Sequence, residues 1–222
     1  MQIPEKDDLA DDIVYEHILA TLDAVPWGRA PEVFAIRPLA RTNIDFFPGH
    51  CGFVGPEFPL RDGIMVVANN FSSAKGWQDY SGHADRESLT RTWRNLRLMI
   101  KASGLEIERF WFTNYCHGVM EQGKESYDFP GRIIRTLEFD RVFEKCVGAM
   151  RPALIVSLGR LAARHLGTDY ARRETIERRT IANHPTKLMA VVHPSAWTWQ
   201  KRGFNDQNFR LEGERIGSAL RG

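Results

Sequence analysis

Ile64-Met65-Val66-Val67-Ala68 runs without a break into Asn69-Asn70-Phe71-Ser72-Ser73, the sharpest change of character in the chain. A short apolar run with two successive β-branched valines predicts a strand buried on both faces, as in a parallel sheet. It then meets two carboxamides, which offer hydrogen-bond donors and acceptors without charge, where such a strand opens onto a crevice.

Downstream the same pattern recurs. Phe110-Trp111-Phe112-Thr113 predicts a second strand ending in Asn114, and Pro152 introduces a third, Ala153 to Leu158, which Gly159 turns into a short helix ending near Gly167. Leu188 to Val192 predicts a fourth strand, ending in His193-Pro194-Ser195. Between them, Ser88 can cap a helix with Leu89, Trp93, Leu96 and Ile100 on one face, closed by Gly104. A Gly-containing loop (118–130) precedes a single helix carrying Ile133 to Met150, in which Cys146 is a small core residue. The charged stretch 172–179 is expected to be a solvated excursion, and a last helix is expected over 206–220, with Phe209, Ile216 and Leu220 inward. No hairpin signal separates the strands. The expected fold class is therefore α/β: a three-layer α/β/α sandwich around a four-stranded parallel sheet.

Upstream, residues 5–25 predict an amphipathic helix through Leu9, Ile13, Ile18 and Leu22, with His17 at its boundary and Pro26 closing it. From Pro26 to Asp62 the chain is rich in proline and aromatics, as functional loops packed on a domain often are. One domain is expected over 1–222, with 1–60 an extension on a 61–222 core; at 222 residues the chain can bury a substantial core.

Composition narrows the function. No apolar run approaches the roughly 18 residues of a membrane span, and the N-terminus lacks a basic-then-apolar signal, so a cytoplasmic monomer without a membrane partner is expected. Cys51, Cys116 and Cys146 are too few for a disulfide framework, and the adjacent pairs His50-Cys51 and Cys116-His117 lack zinc-ligand spacing. From Arg151 onward there are 13 Lys/Arg against six Asp/Glu, a net of +7 in a chain of net charge +2, which leaves −5 on the first 150 residues. A basic half fits a polyanion such as nucleic acid.

Three of the four strands thus end in Asn69/Asn70, Asn114 and His193. No Gly-x-Ser-x-Gly elbow makes this a serine hydrolase, and no glycine-rich phosphate loop follows the first strand. An amide can hydrogen-bond a base edge on two atoms. A histidine can donate to a carbonyl oxygen whose charge grows as a bond breaks. These groups suit cleavage of a base from its sugar.

Val67-Ala68-Asn69-Asn70-Phe71, Phe112-Thr113-Asn114, Val156-Ser157-Leu158-Gly159 and His193-Pro194-Ser195-Ala196, followed by Trp197 and Arg202-Gly203-Phe204, resemble in order the motifs of the uracil-DNA glycosylase superfamily. The resemblance runs from about Ile64 to the C-terminus. It implies that Asn70 orients the attacking water, that Asn69 helps bind the base carbonyl through its backbone, that Asn114 reads the polar edge of the flipped base, and that His193 stabilises the departing base anion. It further implies DNA contacts for Ser195, Trp197, Lys201 and Arg202, with Ser195 in the phosphate clamp and Trp197 as the apolar wedge. Phe71, Trp77 and Phe58 are the candidates for the aromatic that stacks on the base. The implied partner is single- or double-stranded DNA carrying a damaged base, with no cofactor or metal. The chain departs from the pattern in having Asn70 where the most active branch has Asp, Phe71 for Pro, and Ala68 for Gly. It also lacks the four cysteines of the iron–sulfur branches. Two other readings stand beside this one: a nucleic-acid-binding member of the same fold with weak or lost chemistry, and a small-molecule nucleoside N-glycosidase.

Overall fold

The computed structural model describes residues 11–35, 61–70, 91–120, 129–172, 175–194 and 205–222. Their regular elements are α1 (Asp11–Asp23), β1 (Val33–Ala35), β2 (Ile64–Asn70), α2 (Arg91–Ser103), β3 (Phe110–Cys116), β4 (Gly118–Met120), α3 (Gly131–Thr136), α4 (Phe139–Met150), β5 (Leu154–Leu158), α5 (Gly159–His165), β6 (Glu177–Ile181), β7 (His184–Val191) and α6 (Asp206–Arg221).

The apolar runs become a parallel sheet because helices supply both of its faces with cover. β3, β2, β5 and β7 lie side by side in that order and run parallel. Alternate residues of one strand serve opposite layers: Ile64, Val66 and Ala68 pack with Trp93, Leu96 and Met99 of α2 and with Phe209 and Ile216 of α6. Met65 and Val67 pack instead with Ile18 of α1, Ile134 of α3 and Phe143 and Val147 of α4. Side chains within each layer interlock, as where Trp93 meets Phe112 edge-on at 5.3 Å between ring centroids. This is an α/β fold with helices on both faces of a mostly parallel sheet.

The sheet has five strands rather than the four expected. β6 adds antiparallel to β7 at one edge, joined through Ala182 and Asn183, both with positive φ. That is the backbone of a tight hairpin, and Asn tolerates it at low cost. The stretch expected as a solvated excursion is therefore partly a strand. Its charges belong to an edge strand that alternates half-buried Glu177, Arg179 and Ile181 with exposed Arg178 and Thr180. The preceding segment is tied to it, since Arg179 donates to the carbonyls of Leu166 (2.9 Å) and Gly167 (2.6 Å).

Other boundaries also move. β2 runs on through Asn69 and Asn70, and β3 through Asn114 to Cys116, because the two strands keep pairing as far as Asn70 opposite Cys116. The helix expected over 133–150 is broken: α3 stops at Thr136 and α4 starts at Phe139, across Glu138 in the left-handed region (φ 54°). β1 and β4 form a separate two-stranded antiparallel sheet. α1 packs on α4 within one apolar layer, with Trp27 against Phe139, so this part of the N-terminal region lies on the body.

α2 and α6 cross unusually closely. A Cβ on Gly213 would overlap the Met99 carbonyl, and one on Gly217 the Ser103 carbonyl. The contacts step forward together along both chains, so the helices are parallel and both begin at the carboxyl edge of the sheet. There Arg94 binds both carboxylate oxygens of Asp206 at 2.9 Å, and Asn205 caps α6 in a reciprocal capping box.

Candidate active site

From β2 the chain moves outward to β3, then returns to the other side of β2 to lay down β5 and β7. The direction reverses between β2 and β5, and a crevice opens beyond the carboxyl ends of strands at such a point. Asn70 is the last residue of β2, and Leu158 the last of β5, beside Val191 of β7.

Strand alternation places the polar residues. Asn70 has the parity of Ile64, Val66 and Ala68, and Asn114 that of Phe110 and Phe112, all of which face the α2/α6 layer. Asn114 lies opposite Ala68 and is buried; Asn70 lies opposite Cys116 and is half-buried. A strand spacing of about 4.8 Å and a rise of about 3.3 Å per residue separate their Cα atoms by about 8 Å. Asn69 has the opposite parity and is buried, and its Nδ2 donates to Asn70 Oδ1 at 3.3 Å. That bond uses one of the two acceptor positions on Oδ1 and turns the Asn70 carboxamide. Asn69 thus acts on its neighbour through its side chain.

His193 follows β7 by two residues, and the carbonyl of the next residue, Pro194, is bound by Asn95 of α2, the helix layer that Asn70 and Asn114 face. It sits against the start of α5: a Cβ at Gly159 would lie 2.8 Å from His193 Cβ, and Gly159 has φ +79°. Only glycine fits there, for both reasons. His193 is half-buried, and loss of water around its ring pulls the imidazole from 6.5 down to about 4. At neutral pH it is an uncharged N–H donor.

Behind β3, His117 is buried with Nε2 3.0 Å from Thr113 Oγ1, and burial holds it down to about 4 as well. Tyr115 donates to Asp140 of α4 and stacks on His165 with centroids 4.8 Å apart and 7° between planes. Burial and the Asp140 carboxylate raise the Tyr115 hydroxyl well above its usual range, so it stays protonated. These contacts fix the end of β3 from the layer opposite the candidate site. Cys146 is buried and its thiol is pushed up to about 12, as suits a core residue.

Asn70, Asn114 and His193 are therefore brought to one edge and one face of the sheet. Phe58, Phe71, Trp77, Ser195, Trp197, Lys201 and Arg202 lie outside the described residues, as do His50 and Cys51. Among the described residues no group of three or more His, Cys, Asp or Glu is placed to hold a metal ion, and no helix is long and apolar enough to cross a membrane.

One residue escaped the sequence reading. Asn95 of α2 is buried and donates from Nδ2 to the Pro194 carbonyl at 2.7 Å. Its only sequence signal is a polar residue within the apolar face of Trp93, Leu96 and Met99.

No family model matches the chain, and no curated protein matches it in sequence. Its function has to be read from the chemistry of the site.

Proposed function

We propose that the chain is a DNA N-glycosylase of the uracil-DNA glycosylase type, hydrolysing the bond between deoxyribose and uracil or another deaminated base. The observation that carries this reading is the gathering of Asn70, Asn114 and His193 on one face at the switch point of the sheet. The target nucleotide is extruded from its stack, as chemistry on a base in a duplex requires. The Asn114 carboxamide pairs with the polar edge of the base. As the glycosidic bond breaks, its electron pair moves onto the base, and the neutral His193 N–H donates to the carbonyl oxygen where the charge collects. Asn70 orients a water whose oxygen bonds to C1′ of the sugar. A carboxamide cannot take that water's proton, which passes to the departing base or to solvent. The basic C-terminal half would draw in the phosphate backbone.

The test is abasic-site formation on single- and double-stranded oligonucleotides carrying uracil, hypoxanthine or xanthine. Product is expected with at least one lesion, and Asn70→Ala and His193→Ala should each lower the single-turnover rate by about 10²–10³. No abasic product with any lesion in either strand context would overturn the enzyme reading. The carboxamide at position 70 favours one alternative, a nucleic-acid-binding protein without turnover. It predicts salt-dependent DNA binding that Asn70→Ala leaves intact.

A further inference from the structure

We infer that Asn95 is a positioning residue for the site, latching the His193 turn to helix α2 through the Pro194 carbonyl. Asn95 sits in the apolar layer with 3% of its surface exposed. A carboxamide there costs several kcal/mol unless it is hydrogen-bonded. It meets that requirement with a backbone acceptor 99 residues away in sequence, at 2.7 Å, the short end of the N–H···O range.

The choice of acceptor is what gives the contact a functional meaning. The β5–β7 ladder ends at Leu158 opposite Val191, so His193 and Pro194 lie beyond the sheet's own hydrogen bonds. Pro194 has no N–H of its own to anchor the turn. On one side the turn is limited by contact with Gly159; on the other its next carbonyl is held by Asn95. Asn95 is carried on the second turn of α2, whose own place is set by the close α6 crossing and the Arg94–Asp206 pair. The backbone just after His193 is thus held by a bond from a helix in addition to its own strand, and a shift of about 1 Å in the position of a reacting group can cost on the order of 10² in rate.

The activity part of this inference rests on the glycosylase reading; the latch itself does not. Asn95→Leu keeps roughly the shape and volume of the side chain and adds no charge, but removes the donor to the Pro194 carbonyl. Leu96→Ala serves as the control, loosening the same helix face without touching the latch. In the full chain, histidine ring NMR signals are recorded, with His193 assigned by its loss in His193→Gln, alongside single-turnover base release per folded molecule. In Asn95→Leu the His193 signals should move, its titration midpoint should rise from the wild-type value as the loosened turn admits water, and kcat should fall about 10- to 100-fold with KM within about threefold. If Asn95→Leu does not fold, Asn95→Ser is read in the same way. His193 signals and kcat that match wild type, or that change no more than in Leu96→Ala, would overturn the latch. A wild-type protein that releases no base defeats the glycosylase reading, and the NMR comparison still decides the latch.

Discussion

A methyl group at position 159 would fall 2.8 Å from the Cβ of His193 and would sit on a backbone with φ +79°. Gly159→Ala therefore combines left-handed strain with a clash against His193, the residue that polarises the leaving base in the proposed reaction. We expect a stability loss of about 1–3 kcal/mol in urea unfolding and a fall in base release beyond what the unfolded fraction explains. Position 70 is predicted to respond in the opposite sense. Its Oδ1 already accepts from Asn69, so a carboxylate can replace the carboxamide and keep that bond while gaining the ability to take a proton. Asn70→Asp should speed single-turnover release by about 10²-fold, in the range general-base assistance supplies. An unchanged or slower rate would mean that water activation does not limit the reaction.

At the scale of elements, the α2–α6 crossing links the core to the site. Adding one methyl at Gly213 has to push the Met99 backbone away, and Gly213→Ala should cost about 1–3 kcal/mol, seen as a lower urea midpoint. The elements that were legible in the sequence share one property, a long or dense apolar pattern. β2 and β5 are largely apolar runs, as is β7 from Leu188 onward, although β7 begins four residues earlier than expected, at His184. α2 and α6 repeat their apolar residues at helical spacing. β1 and β4, three residues each, are too short to carry a period, and β6 hides its alternation among charges that guard an edge. The break at Glu138 lies inside an apolar pattern that continues on both sides of it. The same contrast holds for the candidate site. Asn70, Asn114 and His193 stand out because each interrupts or ends an apolar run. Asn95 does not, since its partner is a backbone carbonyl, and every residue has one.

For the molecule as a whole, histidines held neutral by loss of water around their rings weaken the fold in acid. His117 is held at about 4 in the fold against 6.5 ordinarily, and His193 likewise. Between those values the unfolded chain binds more protons than the folded one, so stability is fully present above pH 6.5 and is lost as pH falls toward 4. Each such histidine contributes on the order of 1.4 kcal/mol per pH unit within that window. Urea midpoints should fall steadily from pH 6.5 to 4.5. His117→Asn, with an uncharged polar ring substitute, should flatten that slope even where it lowers stability at pH 7. An equal slope in both proteins would assign the acid response to other groups.

The Arg94–Asp206 pair joins residues 112 apart in sequence, and α6 follows every strand of the sheet. During synthesis, α2 and the amides of β2 and β3 leave the ribosome long before His193, the carbonyl that Asn95 holds, or the helix that covers α2. A nascent chain can therefore pair most of the sheet before His193, the Pro194 carbonyl and α6 have emerged. A chain that stops short of α6 would thus carry both amides and the histidine with α2 left unbraced.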